Sequence, residues 1–116
     1  MDEFPEFMRN PANKIAATSQ FVQGIQGYVF DGADGSQIAI WTNPEGGDSA
    51  EHTHEYDEYM VVAQGKYTVL MEGNRKTLTA GDEIFIPKSV PHAGESSPGT
   101  RTIHAFGGKR AERAQM

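Results

Sequence analysis

The chain is 116 residues long, with 16 acidic and 10 basic side chains, a net charge of −6 and no cysteine. One domain of that length buries a single thin core. The acidic balance argues against a nonspecific nucleic-acid surface, and the lack of thiols excludes disulfides, zinc fingers and cysteine nucleophiles. No apolar run approaches the ~20 residues of a membrane helix. The start, Met1-Asp2-Glu3-Phe4-Pro5, lacks the basic and apolar parts of a signal peptide. The expectation is a soluble cytoplasmic protein with no nucleic-acid and no membrane partner.

Residues 1–20 precede the first strand pattern. Within them Asn10 is a capping residue and Pro11 suits a first helical position, so one short helical turn is expected before Ala17. Thereafter Gly and Pro fall between short stretches rich in Val, Ile, Tyr, Phe and Thr, as in a sheet protein. Strands are predicted at 27–30 and 37–42, separated by the turn Asp31-Gly32-Ala33-Asp34-Gly35. Gly46-Gly47 reads as a hairpin connection rather than a phosphate loop, since no phosphate-loop pattern accompanies it. Further strands are predicted at 50–54, 58–63, 67–71, 76–78 and 83–86, then a short piece opening at His92, and a last strand at 100–106. Strands recurring every eight to twelve residues or so indicate a sandwich or barrel. From Ala105 the tail reads as a short helix or frayed end, and its Lys109, Arg110 and Arg113, interrupted by Glu112, as a solvated end rather than a phosphate site.

The stretch Glu51-His52-Thr53-His54-Glu55-Tyr56-Asp57-Glu58 holds two of the four histidines. Residues two apart on a strand face one side, with Cα atoms roughly 7 Å apart, so two imidazoles can converge on one ion. On a straight strand the Glu58 Cα would lie about 13 Å beyond that of His54. Glu55-Tyr56-Asp57 is therefore expected to turn and bring Glu58 back on a neighbouring strand, with Met60 and Val62 on the same inward face. His92, stiffened by Pro87 and Pro91, is the remote partner. Three imidazoles and one carboxylate suit one divalent transition metal ion per chain, whether iron, manganese, nickel, cobalt, copper or zinc, and suit calcium or magnesium poorly. His-x-His alone is more often structural or incidental, here the solvated end of a strand among acids. The accumulation of a glutamate after a turn and a proline-framed histidine favours the metal.

Other residues are open to two readings. His104, if it points inward, is an acid/base group or a hydrogen-bond donor to a ligand. If it points outward, or is satisfied by its neighbours, it is an ordinary strand histidine. Tyr56, in the turn beside the ligands, is a candidate for the pocket rim. Trp41 and Tyr28 read as core or interface aromatics, and Tyr59 as facing away, into outer packing or a dimer partner. Gln37 or Arg101 is available to anchor an anionic substrate. No serine sits in a nucleophile elbow.

Two spacings then resemble the signatures of the cupin superfamily. Gly46, His52-Thr53-His54, Glu58 and Gly65 match the first motif at every position and gap. Gly81, Pro87 and His92 match the second, with Ser89 in a glycine slot and Ser96 in an asparagine slot. The resemblance implies an all-β jelly-roll barrel, RmlC-like, with its core at about 24–106, an N-terminal extension at 1–20 and a tail at 107–116. It implies His52, His54, Glu58 and His92 as metal ligands, a small-molecule substrate, and a homodimer to which Phe4, Phe7 and Met8 offer apolar surface. The activities it implies are those of a dioxygenase, isomerase or decarboxylase; a non-catalytic binding or sensing module is the alternative. Ser89 costs about 1 kcal/mol if its slot demands a positive φ.

Overall fold

The computed structural model describes residues 1–114, so the end of the predicted tail, Gln115 and Met116, lies outside the described residues. Among these the chain forms nine strands: β1 (Gln26–Asp31), β2 (Gln37–Asn43), β3 (Gly47–His52), β4 (Glu58–Gln64), β5 (Lys66–Met71), β6 (Asn74–Thr79), β7 (Glu83–Ile86), β8 (His92–Ser96) and β9 (Thr100–Phe106). All pair antiparallel, in a five-stranded sheet of order β1-β2-β9-β4-β7 and a four-stranded sheet of order β3-β8-β5-β6. The result is the all-β jelly-roll barrel. No helix among the described residues is long and apolar enough to cross a membrane.

The period of two in the sequence is what folds the sheets around a core. Along β4, Glu58, Met60 and Val62 are buried while Tyr59 and Ala63 are exposed. Two apolar clusters result. One joins Ile15, Val29, Ala39, Trp41, Phe106 and Ala111; the other joins Met60, Val62, Val69, Leu78 and Ile86. Burying a side chain of this size contributes roughly 1.5–3 kcal/mol.

Several connections differ from the sequence expectation. Asn10 does cap a turn, its Oδ1 accepting from the Ala12 N–H at 2.9 Å, and short 3-10 helices form at Glu6–Arg9, Pro11–Asn13 and Ala17–Ser19. Gly46-Gly47 is not a hairpin, because β2 and β3 belong to different sheets. Strand β3 spans Gly47–His52, not 50–54, so His54 lies beyond it.

The tail is neither a helix nor a frayed end up to Ala114. Ala111 is 2% exposed within the first core cluster, and Ala114 N–H donates to Lys14 O at 2.7 Å. Arg113 donates to Asp31 Oδ2 at 2.6 Å and to Val29 O at 2.8 Å, locking the tail on β1. The reading of its basic residues as a solvated end is thus corrected for Arg110 and Arg113, while Lys109 is exposed. Gln37 and the packing of Ala111 hold the tail down, neither of which shows in the tail's own composition: Gln37 Oε1 accepts from the Arg110 and Ala111 N–H groups at 2.7 and 2.9 Å.

Phe4 is likewise not free for a partner. It is 5% exposed, under the Arg101 guanidinium at 5.1 Å from its ring centre, whereas Phe7 stays exposed. Ser89 has φ 69°, so its slot does demand the left-handed region. Ser89→Gly is therefore expected to stabilise the chain by about 0.5–1 kcal/mol, the strain relieved less the extra freedom of the unfolded glycine. Urea unfolding checks this, and a lower midpoint would show that Ser89 is not strained.

Candidate metal centre

His52 closes β3 and His92 opens β8, and the two face each other as cross-strand partners. His54 follows in the link out of β3, where its carbonyl accepts from the Ser89 N–H at 2.8 Å. The expected turn at Glu55-Tyr56-Asp57 is present, but it does not return Glu58 on a neighbouring strand. It carries the chain across to the other sheet, so Glu58, at the head of β4, faces the histidines from the opposite wall. The set closes because β3 pairs with β8 in one sheet while Glu58 heads β4 in the other.

One ring nitrogen from each of His52, His54 and His92 lies within 4.8 Å of the others, a cluster that can hold a metal ion. Glu58 Oε1 sits 3.4 Å from His54 Nε2 and 3.7 Å from His92 Nε2. The ring tautomers follow from hydrogen bonding. His52 Nδ1 donates to Ala50 O at 2.8 Å and His92 Nδ1 to Val90 O at 3.0 Å. A carbonyl only accepts, so in the neutral rings both Nε2 atoms carry a lone pair into the cluster. Tyr56 Oη is 3.2 Å from His54 Nδ1, a contact in which either atom can donate, so it leaves the tautomer of that ring open.

Electrostatics suit a cation. Burial raises the Glu58 carboxyl, but hydrogen bonds from His104 and His54 and the charges of His104 and His92 overcome this, holding it well below the usual range. Burial lowers the His52 imidazole, against the pull of its bond to Ala50, which favours the neutral, metal-competent ring. Three imidazole nitrogens with an adjacent carboxylate form a donor set suited to transition ions rather than to calcium or magnesium.

His104 resolves to the inward reading. Its Nδ1 lies 2.9 Å from Glu58 Oε2 and its Nε2 2.8 Å from Thr102 Oγ1, so both ring nitrogens are engaged. Alternation along β9, with Thr100, Thr102, His104 and Phe106 all buried, sets that direction. Trp41 is both core and cavity wall, edge-on to His104 at 5.7 Å. Tyr59 faces out and bonds to Glu83.

Neither proposed anion anchor reaches the cavity. Gln37 is consumed in holding the tail, and Arg101 stacks over Phe4 while donating to Gln64 Oε1 at 3.4 Å. Arg110 lines the cavity instead.

The cavity over this cluster has a volume of about 70 Å³. Phe21 stacks on His52 with ring centres 4.1 Å apart and forms part of the wall, as does Tyr67, whose phenol burial pushes up to about 12. Sequence reasoning missed both, together with Arg110. Tyr67 was legible in the alternation with buried Val69 on β5; nothing local marks Phe21 or Arg110.

Fold and site together define a jelly-roll barrel with a histidine cluster in its cavity. A family model described as the cupin domain matches residues 39–106, more than half the chain, and the chain belongs to that family. No curated protein matches the sequence. Among solved structures it is similar to an RmlC-like cupin from Shewanella frigidimarina, at 23% identity and TM-score 0.73, covering 95% of this chain and 96% of that one. It is similar to KdgF from Halomonas sp. at 22% identity and TM-score 0.70, covering 83% and 93%. Salicylate 1,2-dioxygenase from Pseudoaminobacter salicylatoxidans, in adducts with gentisate, shares 16% identity at TM-score 0.68, covering 75% of this chain and 26% of that chain. These likenesses speak to the fold.

Proposed function

We propose that this cupin is a metal-dependent enzyme of small molecules, of the dioxygenase, isomerase or decarboxylase type. One divalent transition ion is held by His52, His54, His92 and Glu58. The observation that carries the reading is the convergence of three imidazoles, those of His52 and His92 oriented by backbone carbonyls, and one ionised carboxylate on the floor of a cavity. Bound there, the ion would supply Lewis-acid or redox chemistry. A salicylate dioxygenase on the same fold is consistent with this reading.

His104 favours catalysis over passive binding, because it lines the cavity in contact with Glu58; Tyr56, expected at the pocket rim, bonds to His54 Nδ1 and is not among the lining residues. His104 acts through Glu58 and is a positioning residue. His104→Ala is expected to lower metal affinity about 10–100-fold by freeing Glu58 to rotate and raising its pKa. Competition against a chelator measures this, and unchanged affinity would remove His104 from the site.

The apolar wall formed by Phe21, Ile25, Trp41, Met60 and Ile86 supports the second reading, a non-catalytic binding or sensing module. The homodimer belongs to the same proposal. Ile38, Tyr59 and Phe85 lie in one row across the outer face of the five-stranded sheet, and all three are exposed.

Elemental analysis of chain prepared without chelators tests the centre. Close to one transition ion per chain is the expected result. No metal after attempted reconstitution would overturn it and leave a ligand-binding barrel. Turnover that needs the ion would then separate enzyme from module.

A further inference from the structure

Arg110 is the one arginine on the cavity wall, and Glu58 is the one carboxylate there. Its guanidinium lies 4.5 Å from the ring centre of Phe21, 5.6 Å from that of Trp41 and 5.9 Å from that of Phe106. Nη1 donates to Ser19 O at 2.6 Å. Among the described residues no carboxylate comes within ion-pair distance of it, and Nε and Nη2 have no protein acceptor.

A cation taken partly out of water and left without a counter-ion is costly, and such groups are normally paired. The one carboxylate on the cavity wall, Glu58, is already committed to His104, His54 and His92. An ion on the three histidines would add two positive charges against Glu58's one. The cavity as a whole therefore calls for an anion.

We infer that Arg110 is the anchor for the carboxylate of the small molecule this cavity binds, with the free Nε–Nη2 edge as its docking face. The inference deepens the functional reading above and rests on the same cavity. One guanidinium with a single open edge matches a carboxylate, which pairs with arginine in bidentate fashion. A phosphate dianion calls for further cationic or backbone donors, and Arg110 is the only arginine or lysine on this wall. The three rings packed around Arg110 select a planar or apolar body behind the carboxylate, of a size suited to a small cavity. From the anchored end, a second oxygen group of the same molecule is directed toward the histidine floor.

Trp41 is the only tryptophan and lines the cavity, so its fluorescence reports occupancy. The test titrates acetate, pyruvate and benzoate against acetamide, hydroxyacetone and benzamide, with inorganic phosphate as the other anion. Metal-free and metal-loaded wild type, Arg110→Met and Arg110→Lys are compared. Wild type is expected to prefer at least one carboxylate over its uncharged counterpart. Arg110→Met is expected to weaken that carboxylate by about 30-fold or more, the lower end for losing one partner of a buried charge pair. Its affinity for the uncharged counterpart and for metal stays within about threefold of wild type by the same reasoning. Arg110→Lys, with the charge but without the fork, keeps a weakened preference; it also serves if Arg110→Met does not fold.

Four results overturn the proposal: no carboxylate bound by wild type, no preference for charge, phosphate bound at least as tightly, or a preference that survives Arg110→Met. The metal reading fails separately. If the chain takes up no ion, a charge preference in the metal-free protein that is lost in Arg110→Met still upholds the anchor.

Discussion

His52→Ala and His92→Ala are each expected to give a folded chain whose metal content falls to below about a tenth of an ion, from near one in the wild type. The two residues are cross-strand partners, and each sends an oriented Nε2 toward the same point. Removing either leaves two imidazoles and Glu58, and Glu58 keeps its bond to His104. The fold is expected to persist because neither core cluster contains a proposed metal ligand. An unchanged far-ultraviolet circular dichroism spectrum, read beside elemental analysis, would show both. An unfolded mutant would mean that the ion staples a thin core. Full occupancy in both mutants would sink the ligand assignment. In the wild type, occupancy is expected to fall as acid protonates the histidines, since protons compete with the ion for neutral rings. Burial depresses the pKa of His52, so at this residue that competition sets in below the ordinary imidazole range.

The second large effect concerns the cavity's back wall. Gly27, on β1, lies opposite Trp41 of β2. A Cβ on Gly27 would run into the Cζ3 and Cε3 atoms of the Trp41 ring and come 3.0 Å from Ile15 Cδ1. The ring is flat, buried and rigid, so it cannot step aside as a flexible chain end does. Gly27→Ala is expected to cost about 3 kcal/mol, and to lower Tm by roughly 10–20 °C for a domain of this size. Because Trp41 also lines the cavity, its emission should shift in the same mutant. A Tm within about 2 °C of wild type would show that β1 yields and that the wall is soft.

Residue by residue, legibility followed the range of the interactions. His52, His54, Glu58 and His92 stood out because their spacing repeats a local rule: alternation on a strand, a turn, and a proline-framed approach. The strand pattern was legible for the same reason, since every pleat exposes and buries side chains in turn. His104 was ambiguous until β9 was paired with β2 and β4, because the face a strand buries depends on neighbours far away in sequence. The placing of Glu58 on the opposite sheet, rather than on a strand beside β3, was equally a matter of pairing.

Arg110 shows the limit most clearly. In sequence it stands in a charged tail and looks solvated. In the fold, Gln37 and Ser19 hold its backbone and side chain, and three aromatic rings from distant segments surround its guanidinium. The sequence by itself determined the strand-and-turn pattern, because alternation and turns depend on neighbours a few residues away, and it marked out His52, His54, Glu58 and His92 as candidate ligands through the spacing of two signature stretches. Only the tertiary structure decided which sheet carries each donor, which way His104 points and what lines the cavity with them. Those depend on strand register and on the docking of the tail, contacts made between residues as many as 100 positions apart, as in the bond from Arg113 to Asn13.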